Sequence, residues 1–224
     1  STMYATPDGS EQAIMADGRR ISSRTAPDPR YGNDATYAKE MLLERPAIGG
    51  GYEVVSKIVH SREVTLADPN DVTTLSYQKD ESTISDGSGV GRTSTTEYYV
   101  EAGDDRIVAT SAEGRKATRM VNDKGQTTKL CVGGSSCLDP NVLITEYTYD
   151  AEGRVKTVTR GSRNVTYDYR ANSPGKGFLH KATAFIGMVG GVPTYSETSF
   201  VPDNVGRTKQ VVYPDGSALL SSYD

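Results

Sequence analysis

Tryptophan is absent from this chain, and phenylalanine occurs 3 times, histidine twice and cysteine twice, against 14 tyrosines. Apolar residues make up 35 % of the sequence, below the usual ~45 %. These shortages argue against a thick core of large rings and chains. An aromatic set made almost wholly of Tyr suits rings buried on one side and wet on the other. The reading is a thin, strand-rich structure, folded because apolar residues recur along nearly the whole length. His60 and His180 stand alone in separate alternating stretches. With no spare His and no G-x-S-x-G motif, a Ser-His-Asp or Cys-His arrangement has little to build from. No catalytic, metal or cofactor site is expected, and the chain is not expected to be an enzyme.

Basic clusters are also lacking. The net charge is −4, the pI about 5.3, and Arg19-Arg20 is the densest basic pair. Nucleic acid binding needs such clusters to displace counterions, so no nucleic acid partner is expected. No run of ~18 apolar residues exists, so no membrane insertion is expected. The N-terminus shows no signal-peptide pattern.

The two cysteines are Cys131 and Cys137, in "LCVGGSSCLDP". Five small or flexible residues separate them, and such a loop can bring two Cα atoms within the ~6 Å that a disulfide needs. A disulfide is favoured over free thiols, and both over a metal site, because the spacing fits neither a C-x-x-C pair nor a zinc knuckle. A small local disulfide suits an oxidising compartment.

Turn chemistry is abundant, with 23 Gly and 10 Pro. Four segments run Asp or Ser, two residues, then Gly-Arg: Ser88–Gly91-Arg92, Ser111–Gly114-Arg115, Asp150–Gly153-Arg154 and Asp203–Gly206-Arg207. Asp or Ser opening a type I turn bonds the backbone further on, and Gly in fourth place tolerates the left-handed conformation that closes a bulged hairpin. Asn122–Gly125 follows the rule without the Arg. Thr6-Pro-Asp-Gly9 and Tyr213-Pro-Asp-Gly216 are Pro-led variants, and Met15-Ala-Asp-Gly18-Arg19 resembles both kinds.

Between turns the residues alternate as strands do. In "RVKTVTR" Val155, Thr157 and Thr159 share one face. Tyr147 and Tyr149 share a face, as do Tyr167 and Tyr169. "LADPNDVTTLSY" (66–77) and "CLDPNVLITEY" (137–147) echo each other. Residues 51–66 read as one long strand pairing across the first Asp-Pro-Asn loop with 72–78. Residues 20–35, with Pro27, Pro29 and Gly32, read as a loop. "NDATYAKEMLLERP" (33–46) fits a short helix near 35–45 or an irregular strand. The chain divides into degenerate repeat-like hairpins and loop over 1–50 and a hairpin sheet over 51–224.

"YTYDAEGRVKTVTR" (147–160) resembles a YD repeat, the unit of the Rhs (rearrangement hotspot) and YD-repeat family. Tyr147, Tyr149, Asp150, Gly153 and Arg154 match its pattern of Tyr-x-Tyr-Asp, two residues, then Gly-Arg. "YDYRANSPG" opens a second unit with Arg170 in place of the final Asp, and "SSYD" opens another. The other Gly-Arg turns, including Asp203–Arg207, match only the turn half, and residues 1–70 are less similar. The resemblance implies an all-β antiparallel meander forming a section of a spiralling shell. It also implies as partners the remaining repeats of that shell and an enclosed C-terminal toxin or an adhesion partner. A secreted or cell-surface bacterial setting goes with it, and the chain is expected to be a section of a larger protein.

Each candidate residue also has a plainer role. Tyr147 and Tyr149 can stack on sugar, which makes a carbohydrate- or receptor-binding sheet the alternative function. They can equally pack on neighbouring Tyr or Arg. Asp150 and Asp203 fit turn capping better than acid catalysis. Arg154 and Arg207 fit bonding to the turn backbone or lying over a Tyr better than anion binding. "DGSGVGR" (86–92) is followed by a strand sequence rather than a helix, so its glycines fit a hairpin tip, not a phosphate cradle.

Overall fold

A computed structural model describes residues 2–5, 10–171 and 176–223. The Thr6–Gly9 turn therefore lies outside the described residues. The chain forms two compact units, residues 1–126 with 132–141, and residues 127–131 with 142–224. No helix occurs among the described residues.

The first unit contains β1 (Thr2–Ala5), β2 (Ser10–Ile14), β3 (Arg20–Asp28), β4 (Gly32–Pro46), β5 (Tyr52–Leu66), β6 (Leu75–Asp86), β7 (Gly91–Tyr99), β8 (Asp105–Thr110) and β9 (Lys116–Val121). Each strand from β1 to β9 pairs antiparallel with the next. β10 (Thr127–Val132) follows. The second unit continues with β11 (Leu143–Tyr149), β12 (Val155–Arg160), β13 (Arg163–Tyr169), β14 (Leu179–Val189), β15 (Val192–Pro202), β16 (Thr208–Val212) and β17 (Ala218–Leu220). From β11 to β17 the same neighbour-to-neighbour rule holds. The fold is an all-β antiparallel hairpin meander.

The long strand expected over 51–66 is β5, and it pairs across the Asp-Pro-Asn loop with β6, from Leu66↔Leu75 to Ser56↔Asp86. The two Asp-Pro-Asn echoes share a local bond. Asn70 N donates to Asp68 Oδ1 at 2.9 Å, and Asn141 N to Asp139 Oδ1 at 2.9 Å. In each case the Asp folds the chain back on itself two residues later.

Two local expectations are corrected, and one alternative is decided. Of the helix near 35–45 and the irregular strand, the strand holds: these residues are the middle of β4, fifteen residues long. Helix propensity is a weak bias, and β4 is bonded on both sides, with Leu43 opposite Ile21 and Ser56. The loop expected over 20–35 is largely β3, whose residues 20–24 pair with β2. Pro27 lies beyond Arg24, the last β3 residue paired to β2 among the described residues. A missing N–H is tolerated in such a place. In "DGSGVGR" the turn starts two residues early: Gly89, at φ 82, donates to Asp86 O at 3.1 Å, whereas Gly91 begins β7. Asp86 displaces Ser88 as the opening residue, and Ser88 N donates to its Oδ1 at 2.9 Å. A carboxylate is the stronger acceptor.

Burial is sparse. Val108, Val121 and Cys131 are the buried apolar residues among those described. Within the first unit Val108 pairs with Thr118 beneath the loop after β10. Gly133 N donates to Lys116 O at 2.9 Å, and Thr118 Oγ1 to Gly134 O at 3.0 Å.

Polar groups hold much of the rest. Buried Glu44 accepts a two-pronged pair from Arg20 at 2.7 and 2.8 Å, and the Arg20 guanidinium lies 4.2 Å from the Tyr52 ring centre. Buried Asp28 accepts from Arg30 N at 2.8 Å and Arg62 Nη1 at 2.9 Å, while Arg62 also grips Asp80 at 2.6 Å.

Candidate functional site

The residues singled out by the repeat pattern form a recurring latch in the second unit. It begins with the turn. Asp150 N donates to Arg154 O at 2.9 Å, and Gly153 N to Asp150 O at 3.0 Å. That closes a bulged hairpin, with Gly153 at φ 81 where a side chain would be strained. The N–H of Arg154 is left without a backbone partner, and Asp150 Oδ1 accepts it at 2.8 Å.

The other carboxylate oxygen orients the arginine. Arg154 Nε donates to Asp150 Oδ2 at 2.7 Å, and Glu152 Oε2 adds a contact at 3.0 Å. So held, the guanidinium lies 4.3 Å from the ring centre of Tyr169, at the end of β13. The Tyr169 hydroxyl donates to Val155 O, just beyond the turn, at 2.8 Å. One tyrosine thus closes over the turn that opens the preceding strand, β12, fixed by ring and hydroxyl together.

The same parts recur at Asp203. Its Oδ1 accepts from Arg207 N at 2.8 Å and Val205 N at 3.0 Å, and its Oδ2 accepts from Arg207 Nε at 2.8 Å. The Arg207 guanidinium lies 4.4 Å from the Tyr223 ring centre, and Tyr223 OH donates to Thr208 O at 2.7 Å. The Phe178 ring lies so close over Gly206 that a Cβ there would sit 2.1 Å from it. A third tyrosine follows suit without an arginine, as Tyr149 OH donates to Thr127 O at 2.6 Å. Tyr147 and Tyr167 lie two residues earlier on the same faces, opposite Val158 and Ala182.

The carboxylates respond to these bonds. Burial pushes the Asp150 carboxyl up, but the Arg154 N–H and guanidinium outweigh it and hold it below the usual carboxylate range. Asp203 is lowered in the same way, burial being overcome by Arg207. Burial pushes Tyr169 up, and the nearby Asp150 charge adds to it. A carboxylate held ionised by its own turn is a cap, poorly suited to act as a general acid.

Turns elsewhere reach the same bond by another route. In Met15–Arg19 and Tyr213–Ser217 the first residue is not Asp, Asn or Ser. Asp17 and Asp215, in third position, accept from the fifth residue's N–H at 3.1 and 2.9 Å. The recurring element is the fifth residue's N–H needing an acceptor, and Asp at either place supplies it.

Other side-chain clusters carry no motif in the sequence. In the first unit Tyr77 and Tyr99 pack with ring centres 5.0 Å apart, and both hydroxyls donate to Glu97 Oε1 at 3.0 Å. Burial first, then Glu97, pushes Tyr77 up to about 12. Arg106 lies 3.8 Å over Tyr99. An open cleft of about 300 Å³ is lined by Tyr37, His60, Arg62, Asp80 and Glu81 among others. Their separation along the chain hid these groupings. The signal available was Tyr and charge at alternate positions of adjacent strands.

Cys131 and Cys137 are disulfide-bonded, and Cys131 is fully buried. Among the described residues no three His, Cys, Asp or Glu side chains group as a metal site. No protein-family model matches the chain, and no curated protein does.

Proposed function

We propose that this chain is a section of a wall of the YD-repeat kind, enclosing or scaffolding another polypeptide, by resemblance a C-terminal toxin. The observation that carries the reading is the Asp-Arg-Tyr latch at Asp150–Arg154–Tyr169, repeated at Asp203–Arg207–Tyr223. Each latch fastens one hairpin to the next without help from a core. Such a unit extends a sheet indefinitely, and a sheet with so few buried apolar residues has faces available for a client. The disulfide is in keeping with an oxidising compartment, and a secreted or cell-surface setting belongs to the same proposal.

A protease experiment on the longer protein tests it. The polypeptide that accompanies this wall should resist cleavage until the wall is unfolded. Cleavage at the rate of the same polypeptide expressed alone would refute enclosure. The carbohydrate reading is weaker on chemical grounds. Tyr169 and Tyr223 have committed one ring face to a guanidinium and their hydroxyls to backbone carbonyls. Tyr147-dependent binding on a glycan array would reinstate it.

A further inference from the structure

The hairpin of β14 and β15 projects beyond its neighbours. β13 pairs with β14 only as far as Ala184, and β16 pairs with β15 only from Ser199. Beyond these points the two strands continue as a two-stranded ribbon to Val189↔Val192. At ~3.4 Å per residue the five residues from Phe185 to Val189 extend it by about 17 Å. Gly190 and Gly191, at φ 58 and 80, form the tight turn at its tip.

This ribbon is unusual in composition. Residues 182–196, "ATAFIGMVGGVPTYS", contain no charged side chain, in a chain that is 24 % charged. Ile186, Met188, Val189, Val192 and Tyr195 are 63, 59, 69, 63 and 59 % exposed. Both faces are apolar, because Met188 lies opposite Pro193 on one and Val189 opposite Val192 on the other. At the base Phe185 and Tyr195 pack edge to face at 5.7 Å, and the charges resume one step behind with Lys181 paired to Glu197 at 3.1 Å.

We propose that this hairpin tip is a lipid-surface anchor that inserts shallowly into one leaflet. A ribbon docking on a protein surface presents one apolar face, whereas apolar faces on both sides suit a medium that surrounds it. The aromatic pair followed by a charged pair matches the order of the membrane interface, where aromatic rings sit between hydrocarbon and water. Depth is limited by the backbone. The outer edges of a two-stranded ribbon carry unpaired N–H and C=O groups, which the hydrocarbon centre does not tolerate. The tip therefore rests at the headgroup and acyl boundary, ~5–10 Å deep. The sequence argument against membrane insertion concerned a spanning run, and neither short strand here is one. With a net charge of −4, attachment is apolar and needs no anionic lipid.

The absence of tryptophan makes the test direct. A Met188→Trp variant of the 224-residue chain carries a single fluorophore at the tip. With phosphatidylcholine vesicles its emission should shift to the blue and be quenched by lipids brominated near the headgroup, at low and high salt alike. Val90→Trp, on the exposed β6–β7 tip, should not shift. Adding Val189→Asp to Met188→Trp should weaken vesicle binding by about tenfold or more, with an unchanged circular dichroism spectrum. An unshifted Met188→Trp spectrum overturns the proposal. So does equal binding by the Val189→Asp variant, or a shift caused by self-association or an added protein rather than by vesicles. The proposal does not rest on the wall reading, and the vesicle result leaves the protease experiment untouched.

Discussion

At the residue scale the latch divides labour among three side chains. Asp150 accepts the Arg154 N–H and aims the Arg154 side chain, Arg154 covers Tyr169, and Tyr169 returns a hydrogen bond to Val155. Removing only the last bond isolates its contribution. Tyr169→Phe keeps the ring under the guanidinium and should lower stability by about 1 kcal/mol, measured by urea unfolding. Acid acts on the other end of the latch. Asp150 and Asp203, like buried Asp28 and Glu44, have lowered folded-state values. At Asp28 burial opposes the shift and the Arg30 N–H and Arg62 outweigh it; at Glu44 Arg20 is the leading cause. The sign follows from linkage. Their stabilisation is present above the unfolded carboxylate value, ~4, and is lost as pH falls through the lower folded-state values. A thermal midpoint that is steady from pH 7 to 5 and falls steeply below ~4 is expected. Asp150→Asn should make that fall shallower.

At the element scale the hairpin is the unit, and the disulfide is the fixture outside the pattern. The Cys131–Cys137 loop carries Gly133 and Gly134, whose backbone bonds close over Thr118. Replacing both cysteines by serine should cost about 2 kcal/mol, the loop-closure value for so short a ring. Hydrogen exchange of β8 and β9 amides should rise in that variant. This is also the scale at which sequence was most legible. Gly after a three-residue turn located the hairpins at 111–115, 122–126, 150–154 and 203–207, because the left-handed position leaves little choice of residue. β4 was hard to read because Ala, Lys, Glu, Met and Leu favour helix locally, and only pairing on both sides overrules them. The turn at 86–89 was misplaced because two glycines competed for the fourth position and Asp86 decided between them. Asp150 and Arg154 were legible as a turn. Tyr169 as their partner was not, since nothing local says which tyrosine closes over the turn.

At the scale of the whole molecule stability is a chain of neighbour terms. Every pairing described runs between consecutive strands, and few apolar residues are buried, so little ties distant hairpins to one another. Such systems behave like one-dimensional arrays, each unit stabilised by its neighbours. Gly153→Ala forces an alanine into the left-handed region and should cost ~1–2 kcal/mol. Hydrogen exchange should show the loss in β11 to β13, with protection in β3 to β6 unchanged. A uniform loss across both units would contradict the neighbour picture.

The consecutive pairing has a further consequence, for the order in which the protein is made. Each strand finds its partner in the segment synthesised just before it, so loop closure is short at every step and contact order is low. A nascent chain can therefore add finished hairpins one at a time as it leaves the ribosome, with no strand waiting for a distant partner. At any moment the newest strand is an open edge exposed to aggregation. The next turn, with its Asp and Gly already in place, covers that edge within roughly the time needed to synthesise a dozen residues, on the order of a second.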